Sequence, residues 1–278
     1  MTKGIVALAC LYLVLPVILL HWQLDQLIFT SQRQDTTHEA QRFEIGVGVG
    51  TTVLIRRYGA PSGQCAYFFP GQHGGTGTYE RTLFPVLLES ATTIYAISYP
   101  GQDGAQGQSH LAPLPDQVES AIRFVERTAP CETGKSIFVG RSFGATVALL
   151  EAERLHPEGV IVDGLGSDLA VGVRAWITRH PIFWGWQFLP IERLLATQRY
   201  PVDPVLTRLT PMPVAVFQGT ADVVTPFTAA EAVVSNHPNV AFHPVLGGHH
   251  DDSYMLARTA YLETLHKLLA SQRSALSR

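Results

Sequence analysis

The chain has 278 residues, 46% of them hydrophobic and 15% charged, so it can bury a sizeable core and lacks the charge-rich balance of a disordered chain. Its formal net charge is −3 and its lysines and arginines are scattered, which excludes nucleic acid as a main partner. The length suits one large α/β domain.

The first feature in chain order is an uncharged run from Gly4 to Leu20, extended by Trp22, Leu24, Leu27, Ile28 and Phe29. About 20 apolar residues span a bilayer, so residues 1–29 read as a transmembrane anchor. No convincing small-x-small cleavage site stands before Thr30, which favours an uncleaved anchor over a signal peptide, with a buried helix as the third reading. Lys3 precedes the run, and the first charges after it are Asp25 and Arg33, so the positive-inside rule expects the rest of the chain outside the cytoplasm. Residues 30–41 are polar and aperiodic and read as a linker to a domain over 42–278.

Within that domain, short runs rich in β-branched residues begin at Phe43 and recur at Thr51–Ile55, Ala66–Phe69, Thr93–Ser98, Ser136–Val139, Gly159–Val162, Val214–Phe217 and Val240–Val245. Such short, continuous runs suit strands buried on both faces. Helical spacing separates most of them: Asp116 is placed to cap a helix carrying Val118, Ala121, Ile122 and Val125, and Ala145–Leu155 and Ser253–Leu269 repeat the pattern. The alternation predicts a mostly parallel sheet with helices on both faces. It breaks over about 167–203, where Trp176, Phe183, Trp184, Trp186 and Phe188 crowd together; this stretch reads as a helical cap insertion.

Ser142 lies in Gly140-Arg141-Ser142-Phe143-Gly144, after a strand and before a helix, which is the setting of a nucleophile elbow. A serine hydroxyl needs an imidazole to take its proton and a carboxylate to hold that imidazole, both later in the chain. Asp222 follows the Val214–Phe217 run and is the expected acid, although it also suits a helix cap; Asp203 and Asp163 are weaker rivals. The segment Gly247-Gly248-His249-His250 follows the last strand and supplies the base. His250 is preferred because Asp251, Asp252 and Ser253 can open the last helix beside it, with His249 the second choice. The oxyanion of an acyl-transfer intermediate needs two backbone N–H donors, expected at Phe143 and at Gln72 in the loop 68–75. His73 has no Cys, Asp or Glu nearby at metal-ligand spacing, so no metal is expected.

The segments Phe68–Gly75, Ile97–Ser109, Val139–Gly144, Ile161–Ala170, Phe217–Pro226 and Gly247–Asp252 together resemble the α/β-hydrolases, over about residues 43–270. The likeness is greatest to membrane-anchored members related to monoacylglycerol and lysophospholipid lipases and esterases. The resemblance implies an eight-stranded, mostly parallel sheet and hydrolysis of an acyl ester through an acyl-enzyme, without a cofactor. Family members usually carry His-Gly where this chain has Pro70-Gly71, and Arg-Gly-Tyr-Gly where it has Pro100-Gly101-Gln102-Asp103. In the family's usual strand order, Cys65 and Cys131 approach each other at the end away from the site, as a disulfide or as two thiols. The aromatic cap is expected to line an acyl-binding cleft or to meet a bilayer interface, or simply to pack on the core. A thioesterase, a peptidase releasing small residues and an acyltransferase share the triad. A silent binding scaffold would carry a damaged one, and none of the three residues is damaged.

Overall fold

The computed structural model describes residues 11–12, 14–15, 18, 24–29, 41–61, 64–72, 75–90, 92–131, 133–195 and 198–276. Eight strands form one sheet: β1 (Gln41–Gly48), β2 (Thr51–Tyr58), β3 (Cys65–Phe69), β4 (Thr93–Ser98), β5 (Ser136–Arg141), β6 (Gly159–Asp163), β7 (Val214–Gly219) and β8 (Val240–Val245). Their spatial order is β1-β2-β4-β3-β5-β6-β7-β8. β1 and β2 pair antiparallel, as do β2 and β4, and every later pairing is parallel. This is the expected α/β-hydrolase architecture.

Every residue of β3 through β7 is buried, because helices cover both faces. Alternate side chains divide the core in two. Tyr67, Phe69 and Phe138 point to the face covered by α4 (Leu114–Thr128) and α5 (Phe143–Leu155). Ala66, Phe68 and Val139 point to the other face, under α2 (Thr76–Arg81), α3 (Leu83–Leu88) and α11 (Arg258–Leu276). Several boundaries differ from the sequence expectation: β5, β6 and β7 run one or two residues longer, and the helix expected over Ser253–Leu269 is two, α10 (Ser253–Leu256) and α11, after α9 (Phe227–Val234). α4 starts at Leu114, so Asp116 sits in its first turn rather than capping it, and there accepts a hydrogen bond from Arg154 (2.7 Å). β2 continues past Ile55 through two arginines because Arg56, fully buried, donates to the Ser98 hydroxyl (3.0 Å) and faces the Asp103 carboxylate.

Between β6 and β7 the chain forms α6 (Leu169–Arg179), a 3-10 helix (Pro181–Phe188), α7 (Ile191–Leu195) and α8 (Val202–Leu209), the helical cap expected from the aromatic cluster. At the opposite end of the sheet, Cys65 and Cys131 form a disulfide with their α-carbons 5.9 Å apart. Cys65 pairs in register with Ser136, which brings the chain just before β5 alongside the start of β3.

The expected N-terminal anchor is corrected. No helix among the described residues is long and apolar enough to cross a membrane. The likeness therefore narrows from membrane-anchored members to the superfamily, and the expected membrane partner and extracytoplasmic placement go with the anchor. Within the described part of that segment Leu11, Val14, Leu15 and Ile18 are exposed, and a physical reason is visible only at its far end. Leu24 and Ile28 of α1 (Leu24–Ile28), together with Phe29, are buried in the protein's own core, so these apolar side chains have a protein environment instead of a lipid one. Residues 1–10, 13, 16–17 and 19–23 of the run, and residues 30–40 of the expected linker, lie outside the described residues.

Candidate active site

Ser142 stands between β5 and α5 with φ 55° and ψ −123°, a backbone conformation that non-glycine residues rarely adopt. The turn is held because the Ser142 N–H donates to the Asp163 carbonyl (2.8 Å) and the Ala145 N–H donates to the Ser142 carbonyl (2.9 Å). Its two glycines are sterically required. A side chain at Gly140 would meet the start of α5, and one at Gly144 would collide with the carbonyl oxygens of Phe69 and Pro70. The second contact seats the loop after β3 directly against the elbow.

The three residues singled out as a triad come together. The Ser142 hydroxyl lies 2.9 Å from His250 Nε2, and His250 Nδ1 lies 2.8 Å from Asp222 Oδ2. Asp222 uses its two oxygens differently, and it does not cap the next helix, which starts after Pro226 with no side-chain cap bond. Oδ1 accepts the backbone N–H groups of Val224 and Thr225 (2.8 and 2.9 Å) ahead of the helix Phe227–Val234, while Oδ2 takes the imidazole and the Thr225 hydroxyl (2.7 Å). Burial alone would raise its pKa, but the bonds from His250 and Thr225 outweigh that and hold it below the usual carboxylate value, so it stays ionised at neutral pH.

The rivals lie elsewhere. His249 is exposed, and its backbone N–H donates to Asp252 Oδ1 (2.7 Å). Asp203 is on the surface against His237 (3.0 Å). Asp163 is near the triad but points beneath it, accepting the Ser253 hydroxyl on both oxygens (2.8 and 2.9 Å) and facing Arg141 (3.8 Å). Its complete burial raises its pKa to about 6 against the pull of Arg141 and Ser253. His73 lies outside the described residues.

Several contributors carried no recognised sequence signal. Arg141, the variable residue of the Gly-x-Ser-x-Gly segment, donates to the His250 carbonyl and lies over the Tyr254 ring (5.0 Å) while facing Asp163. One guanidinium thereby ties the strand before the nucleophile to the loop that carries the base. Gln218 on β7 donates to the Thr225 carbonyl (2.7 Å) and approaches Asp222 Oδ2 (3.3 Å). The two departures from the family pattern face each other: the Gln102 side chain donates to the Gln72 carbonyl (2.9 Å), and the Tyr99 hydroxyl donates to the Pro70 carbonyl (3.2 Å). Two side-chain donors thus hold a loop in which the usual histidine is absent.

Ser142, Phe143 and Gln72 open into a cavity of about 570 Å³. It is lined by Leu169, Val173, Trp176, Ile177, Phe183 and Trp186 of the cap, and by Leu24 and Ile28 of α1 together with Leu15. Trp176 stacks on Phe183 (centroids 5.0 Å apart), and Phe183 packs on Trp186 (4.5 Å). At the rim Arg199 is paired with Asp168. A cavity of this size with apolar walls and a few polar groups at one end suits a small, largely apolar ligand. Among the described residues no group of three or more His, Cys, Asp or Glu side chains is arranged to hold a metal ion.

Known proteins resemble this chain in sequence and in fold. The uncharacterized protein YfhR of Salmonella typhimurium is 27% identical over 166 residues, which is 57% of this chain and only 55% of that protein. Three solved esterases share the fold. One from Pyrococcus furiosus superposes with a TM-score of 0.66 at 14% identity, covering 84% of this chain and 91% of that one. Carboxyl esterase 2 of the fungus Tuber melanosporum gives 0.62 at 15%, covering 87% and 91%. An esterase of a Rhodococcus species gives 0.61 at 15%, covering 84% and 99%. The sequence profile described as the alpha/beta hydrolase family matches residues 68–272, from the end of β3 to the last helix. The chain therefore belongs to the alpha/beta hydrolase family.

Proposed function

We propose that the protein hydrolyses esters of apolar carboxylic acids, with Ser142 as nucleophile, His250 as general base and acid, and Asp222 as the carboxylate that holds the imidazole. The observation that carries this reading is the continuous relay from Ser142 Oγ to His250 Nε2 (2.9 Å) and from His250 Nδ1 to Asp222 (2.8 Å), opening into an apolar cavity. As Ser142 Oγ bonds to the acyl carbon, its proton passes to Nε2, and the ionised Asp222 stabilises the resulting imidazolium. The carbonyl π electrons move to oxygen, which is received by the backbone N–H groups of Phe143 and Gln72. Collapse of this intermediate breaks the bond to the alcohol, which leaves with the proton from Nε2. A water then enters, gives its proton to Nε2 and releases the acid by the same steps in reverse. The esterases that share the fold support an oxygen ester over a thioester or an amide.

Labelling by a fluorophosphonate tests the nucleophile: the parent chain reacts, and Ser142→Ala does not. Hydrolysis of a panel of esters, thioesters and anilides by the parent tests the bond, with the esters expected to be fastest. A parent that fails to label, or a Ser142→Ala variant that still labels, removes Ser142 from this role.

A further inference from the structure

Part of the cavity lining is supplied by α1, which lies far from the elbow in sequence. Leu24 and Ile28 are both buried and both line the cavity that Ser142 opens into. Phe29, just after α1, meets the Phe143 ring edge-on with centroids 5.3 Å apart, and Phe143 is the residue whose backbone N–H is proposed above to receive the oxyanion. The helix is fastened at its first turn. Asp25 Oδ1 accepts the backbone N–H of Leu111 (2.9 Å), and Oδ2 bonds with His110 Nδ1 (2.8 Å). The same carboxylate residue uses its backbone carbonyl to accept the Phe29 N–H (2.7 Å). Two side chains aimed into the cavity are thus held by a polar clamp on the body of the domain.

Resting on the esterase reading, we infer that α1 is a specificity element: Leu24 and Ile28 form the wall against which the acyl chain of the substrate packs, and their bulk sets the chain length accepted. The physical argument is one of shape. An apolar wall distinguishes chains by the methylenes it touches, and a clamped wall cannot retreat to accommodate a longer one. The sequence pattern that reads as a membrane anchor is, at these positions, the apolar lining of a binding site.

The test uses the full chain and a series of alkyl fluorophosphonates from ethyl to dodecyl, whose rates of covalent labelling report on the cavity and on Ser142 together. Ile28→Trp, which fills the cavity, is expected to lower the octyl-to-ethyl rate ratio by about tenfold, and Leu24→Ala, which enlarges it, to move the preferred chain to a longer one. Asp25→Ala, which releases the clamp, is expected to flatten the dependence on chain length. Each variant is compared at a melting temperature close to the parent's, and because Leu24→Ala removes volume it reads the same wall if Ile28→Trp does not fold. Ratios within about twofold of the parent in the folded variants overturn the inference while leaving the esterase reading intact. A parent that reacts with none of the probes overturns the serine hydrolase reading, and the inference falls with it.

Discussion

Around Ser142 the functional groups are polar, buried and held by backbone: the elbow is locked to β6, Asp222 is bonded on both oxygens, and Arg141 grips the carbonyl of the residue that carries the base. Across the cavity the materials are the reverse. The cap presents apolar rings on short helices, and Trp176 and Phe183 are partly open to solvent. The difference separates two tasks. Proton transfer fails when its atoms move by an ångström, so the triad is over-determined by hydrogen bonds. An acyl chain needs only a dry surface of the right shape, and apolar side chains of similar volume can exchange for one another there.

The sharpest way to break this comparison is Asp222→Asn, which keeps the shape of the site but removes the charge that holds the imidazole. Ester turnover is expected to fall by about 10⁴-fold in kcat, with little change in melting temperature. A loss of less than about tenfold would shift the carboxylate role to a neighbour such as Asp163.

Next comes the frame under the site. Replacing both Cys65 and Cys131 by serine releases a loop with a sequence separation of 66. Loop-closure entropy puts the loss at about 4 kcal/mol, read as a lower midpoint in denaturant with the preference among esters retained.

Glu151 tests the helix behind the elbow. It is fully buried on α5, and neither carboxylate oxygen has a hydrogen-bond partner among the described residues. Desolvation, only partly opposed by Arg154, raises its pKa from 4.5 to about 8. The folded chain therefore holds this proton more tightly than the unfolded chain does, so stability falls as pH rises through that window. Glu151→Gln is expected to stabilise the protein by on the order of 4 to 5 kcal/mol at about pH 9, and the gain should shrink toward zero near about pH 4. Thermal unfolding of both proteins across that range measures it; a constant difference would show that the carboxyl is not titrating in the fold.

The smallest effect belongs to the cap. Trp176, 42% exposed, is stacked at the open side of the cavity. Trp176→Ala is expected to raise KM for a medium-chain ester by about threefold to tenfold with kcat nearly kept, because the contact is made equally in ground and transition states. An equal fall in kcat would place this ring in the chemical side of the site.

Much of the frame was legible because its signals are local. β-branched runs alternating with helical spacing specify a parallel sheet wherever they occur, and a glycine two residues either side of Ser142 is demanded by the turn itself. The order Ser142, Asp222, His250 follows from which loops leave the same end of such a sheet. The preference for His250 over His249 rested on Asp251, Asp252 and Ser253 opening the last helix; in the structure they precede the short helix Ser253–Leu256 instead, and Asp252 accepts the His249 backbone N–H without capping it. Arg141, Thr225, Gln218 and Gln102 were not legible, since each acts on a partner brought close only by folding. Arg56 was hidden for the same reason: a charged residue reads as a strand end until Ser98 and Asp103 are beside it.

The amino-acid sequence by itself determined the alternation of strands and helices, the elbow at Ser142 and the candidates for its partners, because backbone sterics and hydrophobic period act over a few residues. Tertiary structure alone decided which carboxylate meets which imidazole, how the loop at Pro70 is held without its usual histidine, and where the N-terminal apolar residues go. An apolar side chain carries no label for lipid or protein. Leu24, Ile28 and Phe29 are satisfied equally by either, and only the presence of a complementary surface beside Phe143 and the cap settles that they line this protein's own cavity and core.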